Sequence, residues 1–232
     1  VAPNSLIITD AIPGEVFSGV ISGTGGLKIT GGTQTLTGIN TYTGPTIVSP
    51  GAKLIASIHS IPGDVVNDGS FGFNQSTAGS YTHNMSGTGS MDIGGTGVIT
   101  LTGTNTQAGG TTIQNGASLI IGSSTALSGN RVNSNGGSLG ISAGITLANL
   151  DVTGSVNLTT DIITTGAQTY ENIKLAPSAG NVINLNTVNS DIRITGTLDG
   201  STAKVHSIVI NAGTGQVTLT VKDNGRGVAP EH

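Results

Sequence analysis

Twelve carboxylates and four imidazoles are the side chains of this sequence best suited to acid–base or metal chemistry. The acids are Asp10, Glu15, Asp64, Asp68, Asp92, Asp151, Asp161, Glu171, Asp191, Asp199, Asp223 and Glu231; the histidines are His59, His83, His206 and His232. A glycosidase or lyase needs two carboxylates converging on one bond with their pKa values held apart, usually beside basic residues. The best grouping is Asp64 and Asp68 with His59 and Lys53, on the expectation that 53–68 forms one lateral face. Turn chemistry explains the same residues more simply, because Pro62-Gly63-Asp64 and Asn67-Asp68-Gly69 both read as turns. The histidines are mutually isolated and lack the His-x-His or Glu-x-x-His spacing of a zinc site. Gly23-Thr24-Gly25 and Gly213-Thr214-Gly215 precede neither a helical pattern nor Gly-Lys-Ser/Thr, so they read as turns rather than phosphate loops. Neither an EF-hand loop nor a Gly-Gly-x-Gly-x-Asp calcium repeat is present. The expectation is a non-enzymatic chain with no catalytic residue, no metal site and no cofactor, and with its binding residues unassigned.

The elements that carry these residues follow from composition. Only 9% of the 232 residues are charged and 3% are aromatic, while glycine supplies 38 positions. Short Val, Ile, Leu and Thr alternations separated by Gly, Asn, Asp and Ser are strand-and-turn material, not helix. With 35% hydrophobic residues the chain is also poor material for disorder. Its eight basic residues, Lys28, Lys53, Arg131, Lys174, Arg193, Lys204, Lys222 and Arg226, are scattered and the net charge is −4. That pattern offers no positive patch for nucleic acid or an anionic bilayer. No apolar run reaches the roughly 18 residues of a membrane span. There is no cysteine, and the start at Val1-Ala2-Pro3-Asn4 does not read as a secretory signal. The chain begins and ends in mid-pattern, so it is expected to be a piece of something longer.

Self-similarity organises the sequence. Residues 36–54 align without gaps to 101–119, at an offset of 65, and Ser22-Gly23-Thr24-Gly25 answers Ser86-Gly87-Thr88-Gly89 at 64. Apolar residues recur as Leu27/Ile29, Ile47 and Leu54, then Met91/Ile93, Ile113 and Leu119/Ile121. Period 2 puts paired members on one face of very short strands. Reading 65 residues as three coils gives about 22 residues per coil, roughly ten coils, and a body ~50 Å long. The expected fold is all-β, a right-handed parallel β-helix or β-solenoid, over 1–221, with 222–232 as a terminal break or linker. A β-sandwich is the competing architecture.

Two repeated polar features carry specific expectations. Thr35 and Thr37 answer Thr100 and Thr102; a flat threonine array could bind ice or a sugar, yet β propensity explains so few pairs equally well. Asn40 and Asn105 are expected to take equivalent inward or turn-lining places about three coils apart, satisfying backbone groups as stacked asparagines do.

Gly25-Gly26-Leu27-Lys28-Ile29-Thr30-Gly31-Gly32 with Leu36-Thr37-Gly38-Ile39-Asn40-Thr41-Tyr42-Thr43-Gly44 resembles the autotransporter-associated β-strand repeat of bacterial surface passengers. The second copy departs from it at Gln107, where the first has Tyr42. Residues 164–170 and 211–217 resemble filamentous-haemagglutinin-like exoproteins. The resemblance implies a right-handed parallel β-helix, export by an autotransporter or two-partner route to the bacterial cell surface, and a role in virulence-associated adhesion or as a stalk. Its implied partners are a host or neighbouring-cell surface protein or glycan, and adjacent solenoid coils. No nucleic acid and no membrane insertion are expected. With no Trp and three each of Tyr and Phe, the chain has little material for a protein-binding hot spot, so reach is the expected contribution. The alternative function is a carbohydrate-active β-helix enzyme.

Overall fold

The structure, a computed structural model, describes residues 5–127, 131–176, 182–200 and 207–220. The period-2 runs form strands, among them Leu27–Ile29, Thr33–Leu36, Thr46–Val48, Lys53–Ala56, Ser90–Gly94, Val98–Leu101, Thr111–Ile113 and Ser118–Ile121. Alternate side chains point inward: Leu27 and Ile29, Leu54 and Ala56, Met91 and Ile93, Leu119 and Ile121 are all buried. Ile47 points outward, and the inward members of its strand are Thr46 and Val48. Among the described residues one 3-10 turn, Ile58–Ser60, is the only helical element. His206, His232 and the expected break at 222–232 lie outside the described residues.

All described strand pairs are parallel, which sets aside the sandwich and its antiparallel sheets. Each coil crosses three faces. The first face stacks Leu6–Ile8, Leu27–Ile29, Thr46–Val48, Val65–Asn67 and Met85–Ser86 as a five-stranded sheet. The second face stacks eleven strands in succession, from Val16–Phe17 to Val217–Leu219. The third begins with Ser22–Gly23 on Thr41–Tyr42 and, beyond the 3-10 turn, runs through Gly79–Tyr81, Val98–Leu101 and Ser118–Ile121. The molecule is a parallel β-solenoid, and its eleven-strand stack agrees with roughly ten coils.

Register gives the coil length directly. Leu27 pairs with Thr46, Thr46 with Val65, Val65 with Met85 and Met85 with Asn105. Side-chain bonds between adjacent coils keep the same interval, with sequence separations of 19 and 20. The expected 22-residue coil is therefore corrected to about 20 in this half. The consequence for the repeat is larger. From Leu27–Ile29 on the first face to Ser90–Gly94 on the second is ten element steps, the 3-10 turn Ile58–Ser60 standing in for a strand on the third face, which is three coils and one face. Every element of the second copy is advanced by one face: Thr33–Leu36 lies on the second and Val98–Leu101 on the third, while Thr46–Val48 lies on the first and Thr111–Ile113 on the second. The unit that repeats is one strand and one turn, and any face of the triangular cross-section accepts it.

From the seventh coil the construction changes. Arg131–Ile141, Leu150–Leu158 and Gln168–Leu175 run through the second and third faces as single bent strands, with register shifts between Asn135 and Ser138 and between Val152 and Ser155. The coil then lengthens: Tyr170 pairs with Ile194 and Ile194 with Leu219, longer steps than the one from Leu27 to Thr46. The interior stays narrow, so large rings are confined: Phe71, Phe73 and Tyr81 fill the fourth coil with centroids 4.8 Å and 5.0 Å apart.

Close approach of neighbouring coils explains two matched glycines. A Cβ on Gly38 would collide with the carbonyl oxygen of Gly19, and one on Gly103 with that of His83. A second matched pair, Gly51 (φ 79°) and Gly116 (φ 80°), meets nothing and is needed for backbone conformation instead. Gly38→Ala and Gly103→Ala are each expected to lower stability by roughly 1–3 kcal/mol through overpacking, read as equal shifts of the urea midpoint. Unchanged midpoints would contradict the packing described for both copies.

Candidate functional site

Asp64, Asp68, His59 and Lys53 do not converge. The chain from 53 to 68 starts on the second face, turns through the 3-10 element and ends beyond the first face, almost once around the solenoid. The expected single lateral face is therefore corrected. Lys53 stands on the second face, its ammonium 3.4 Å from Asp92 two coils on. His59 is exposed on the 3-10 turn, Asp64 precedes the first face, and Asp68 follows it.

Both aspartates do the turn work that the simpler reading gave them, and they do it along the axis. Asp64 Oδ1 accepts the Asn84 backbone N–H at 2.9 Å, and Asp68 Oδ1 accepts the Thr88 N–H at 2.9 Å and its hydroxyl at 3.2 Å. Asp161 accepts the N–H of Asn184 at 2.8 Å, and Asp191 that of Gln216 at 2.8 Å. The first series continues without charge, Asn84 Oδ1 accepting from Thr104 N–H at 2.8 Å. Bends break the sheet ladder and leave N–H groups without a carbonyl, and a carboxylate or amide from the preceding coil supplies the acceptor. Among the described residues no three metal-ligating side chains gather. The threonine pairs also separate, since Thr35 lies on the second face and Thr100 on the third.

The interior polar residues form the more distinctive set. Asn40 and Asn105 are both buried and bond alike. Asn40 Oδ1 accepts the N–H of Ile21 at 2.8 Å while its Nδ2 donates to Ser60 O at 2.7 Å; Asn105 Oδ1 accepts from Met85 N–H at 3.0 Å and Nδ2 donates to Ala126 O at 2.7 Å. Each amide clamps the coil below to the coil above. The two are equivalent as expected, with the one-face rotation added. Two residues on, the copies diverge: the Tyr42 hydroxyl bonds Thr46 Oγ1 at 2.6 Å, whereas Gln107 and Thr111, which replace that pair, are buried with the Gln107 amide and the Thr111 hydroxyl unpartnered. Sequence reasoning noted Gln107 only as a departure from the repeat and missed its burial. It also missed the satisfied knot in which Tyr170 donates to Gln168 Oε1 at 2.9 Å and Gln168 Nε2 donates to Asn186 O at 2.8 Å.

The lateral surface offers shallow grooves. One of about 270 Å³ lies beside Arg131 and Asp151, whose charged groups are 3.6 Å apart. Another, about 370 Å³, follows the bend between the second and third faces past Asn157, Asn172, Lys174 and Asp199. Comparison with known proteins finds no family model, no curated protein and no solved structure that matches the chain.

Two outcomes follow from the polar interior. Asn40→Leu strands the Ile21 N–H and the Ser60 carbonyl, while Asn105→Leu strands the Ala126 carbonyl and leaves the Met85 N–H on Thr104 O alone, so each is expected to lower unfolding free energy by roughly 1–3 kcal/mol in a urea titration. Wild-type stability in both would contradict the clamp. The second outcome concerns pH. Burial pushes the phenols of Tyr42, Tyr81 and Tyr170 above their ordinary range, with the Thr46 bond partly offsetting it at Tyr42 and the Asp64 charge adding to it at Tyr81. These are all the tyrosines of the chain. A raised folded pKa means that the fold favours the neutral phenol, so this stability is complete below the unfolded value of about 10 and is lost as pH rises above it. Phenolate absorbance at 295 nm and loss of β circular dichroism are expected to rise together in the alkaline range. Phenolate appearing around pH 10 with the dichroism intact would contradict the burial.

Proposed function

We propose that this chain is a structural segment, the stalk or adhesin body of a secreted bacterial surface protein, and that its work is extended reach rather than catalysis. The observation that carries the reading is the use made of its acids: Asp64, Asp68, Asp161 and Asp191 each cap the backbone of the next coil, so they serve axial growth. A ladder that lengthens coil by coil needs no new core for added length. The resemblance of 25–44 to autotransporter-associated repeats supports export and placement at the cell surface. Adjacent coils are the nearest partners, as the inward-pointing Leu6 and Phe17 at one end and Val217 and Leu219 at the other are about half exposed. A host or neighbouring-cell protein or glycan is the partner of the assembled protein, and the grooves along the sixth to tenth coils are where direct contact would register.

Three readouts test this. Antibodies raised against the chain are expected to label intact producing cells. The purified 232-residue chain is expected to release no reducing ends from plant, fungal or bacterial polysaccharides and to show no saturable binding to matrix proteins or glycans. Turnover abolished by Asp64→Asn or Asp68→Asn would establish the carbohydrate-active alternative. Micromolar binding abolished by Lys174→Ala would make the segment a receptor-binding module instead of a passive stalk.

A further inference from the structure

We infer that the sixth coil, residues 105–124, is a built-in joint at which the solenoid opens before the coils on either side do. Three independent features meet there.

The first is a thinning of one wall where the sixth coil meets the fifth. The five-stranded sheet of the first face ends at Met85–Ser86, and described strands resume on that face only at Ile162–Thr164. Between them, among the described residues, the face holds by isolated bridges at Met85–Asn105 and Leu147–Thr164 and by single bonds such as Asn105 N–H to Thr125 O at 2.9 Å. The Asn105 side chain, donating to Ala126 O, fastens the sixth coil to the seventh on this side.

The second feature is the unpartnered polar pair. Among the described residues, the buried side-chain nitrogen and oxygen atoms without a hydrogen bond are Nε2 and Oε1 of Gln107 and Oγ1 of Thr111, all in this coil. Burial of such groups without partners is a free-energy cost that an opened coil recovers from water. The rest of the molecule shows that the cost is not inherent in the architecture. The repeat-equivalent Tyr42 and Thr46 satisfy one another, and Gln168, at the same corner three coils on, has its amide fully engaged.

The third is a change of construction. Up to this coil the second and third faces are separate short strands, and in the next three coils, through Arg131–Ile141, Leu150–Leu158 and Gln168–Leu175, they are single bent strands. The interface between the sixth and seventh coils therefore joins two kinds of packing. Ile113 still pairs with Ser134 and Ile121 with Ile141, so the second and third faces stay laddered across this interface and act as the hinge. In a solenoid each coil is stabilised by its neighbours alone, so the weakest interface sets where opening starts. In an extended segment that place decides where the rod first yields under load.

Hydrogen exchange on the full chain, resolved to single amides, tests the joint. Leu27, Thr46, Val65 and Asn105 donate at the same position of first-face rungs, which makes the first three internal standards. Relative to free-chain rates, Asn105, Thr106 and Ala108 are expected to exchange at least roughly tenfold faster than Leu27, Thr46 and Val65. Gln107→Met, which keeps length and removes the stranded amide, is expected to slow the exchange at 105–108 by about fivefold or more while leaving Leu27 and Val65 unchanged. Thr111→Val removes the stranded hydroxyl without changing shape and is expected to act in the same direction, so the outcome does not depend on how one methionine packs. Protection at Asn105 equal to that at Val65, or no slowing in either variant, would overturn the joint.

Discussion

One constraint governs the rest of the structure: each coil must hand its backbone N–H and C=O groups to the next in parallel register. Leu27, Thr46, Val65 and Met85 each donate to a carbonyl of the following coil, at 2.9–3.2 Å. That ladder fixes how near the coils lie, and nearness selects the residues. The interior accepts Val, Ile, Leu and a few rings, and Gly38 and Gly103 are bare because a neighbouring carbonyl occupies the space of their Cβ. At the bends, where the ladder fails, side chains must complete it, and this is where the aspartates and asparagines are found. The same requirement that builds the solenoid thus draws its reactive groups into structural work.

A three-faced coil also explains how the internal repeat can be out of phase with the coil. If one strand and one turn form the unit, a duplicated stretch needs to contain only a whole number of units, and ten units end one face further round. The environments of Asn40 and Asn105 coincide although the two stand on different sides of the molecule. A lateral surface built this way does not repeat along one face, so Thr35 and Thr100 form no continuous array.

Strand positions, inward alternation and the asparagine clamps were legible because they are local: period 2 and a matched Asn carry their meaning within a few residues. The length of a coil was not legible, because the repeat offset divides into three coils or three and a third with equal ease, and only non-local register chooses. From that came the misplaced face for 53–68. The bent strands were hidden for a related reason. Gly136 and Gly154, with φ of 90° and 76°, each let one strand change face without leaving the ladder. Gln107 was visible only as a mismatch to Tyr42; its burial depends on the coils above and below it.

The absence of cysteine makes the register directly measurable, since paired cysteines can be introduced without competing thiols. Parallel neighbours in facing strands lie within disulfide reach, whereas a pair two positions out of register is spread too far. In the structure Thr35 faces Ile55 on the second face and Thr100 faces Ile120 on the third. The decisive measurement is oxidative cross-linking of the native protein carrying Thr35→Cys with Ile55→Cys, or Thr100→Cys with Ile120→Cys, compared with Thr35→Cys with Ser57→Cys, or Thr100→Cys with Gly122→Cys. Rapid closure of the first two pairs and not of the others is the result expected of a parallel ladder in this register whose repeat advances by one face. Preferential closure of the more widely separated pairs would contradict it.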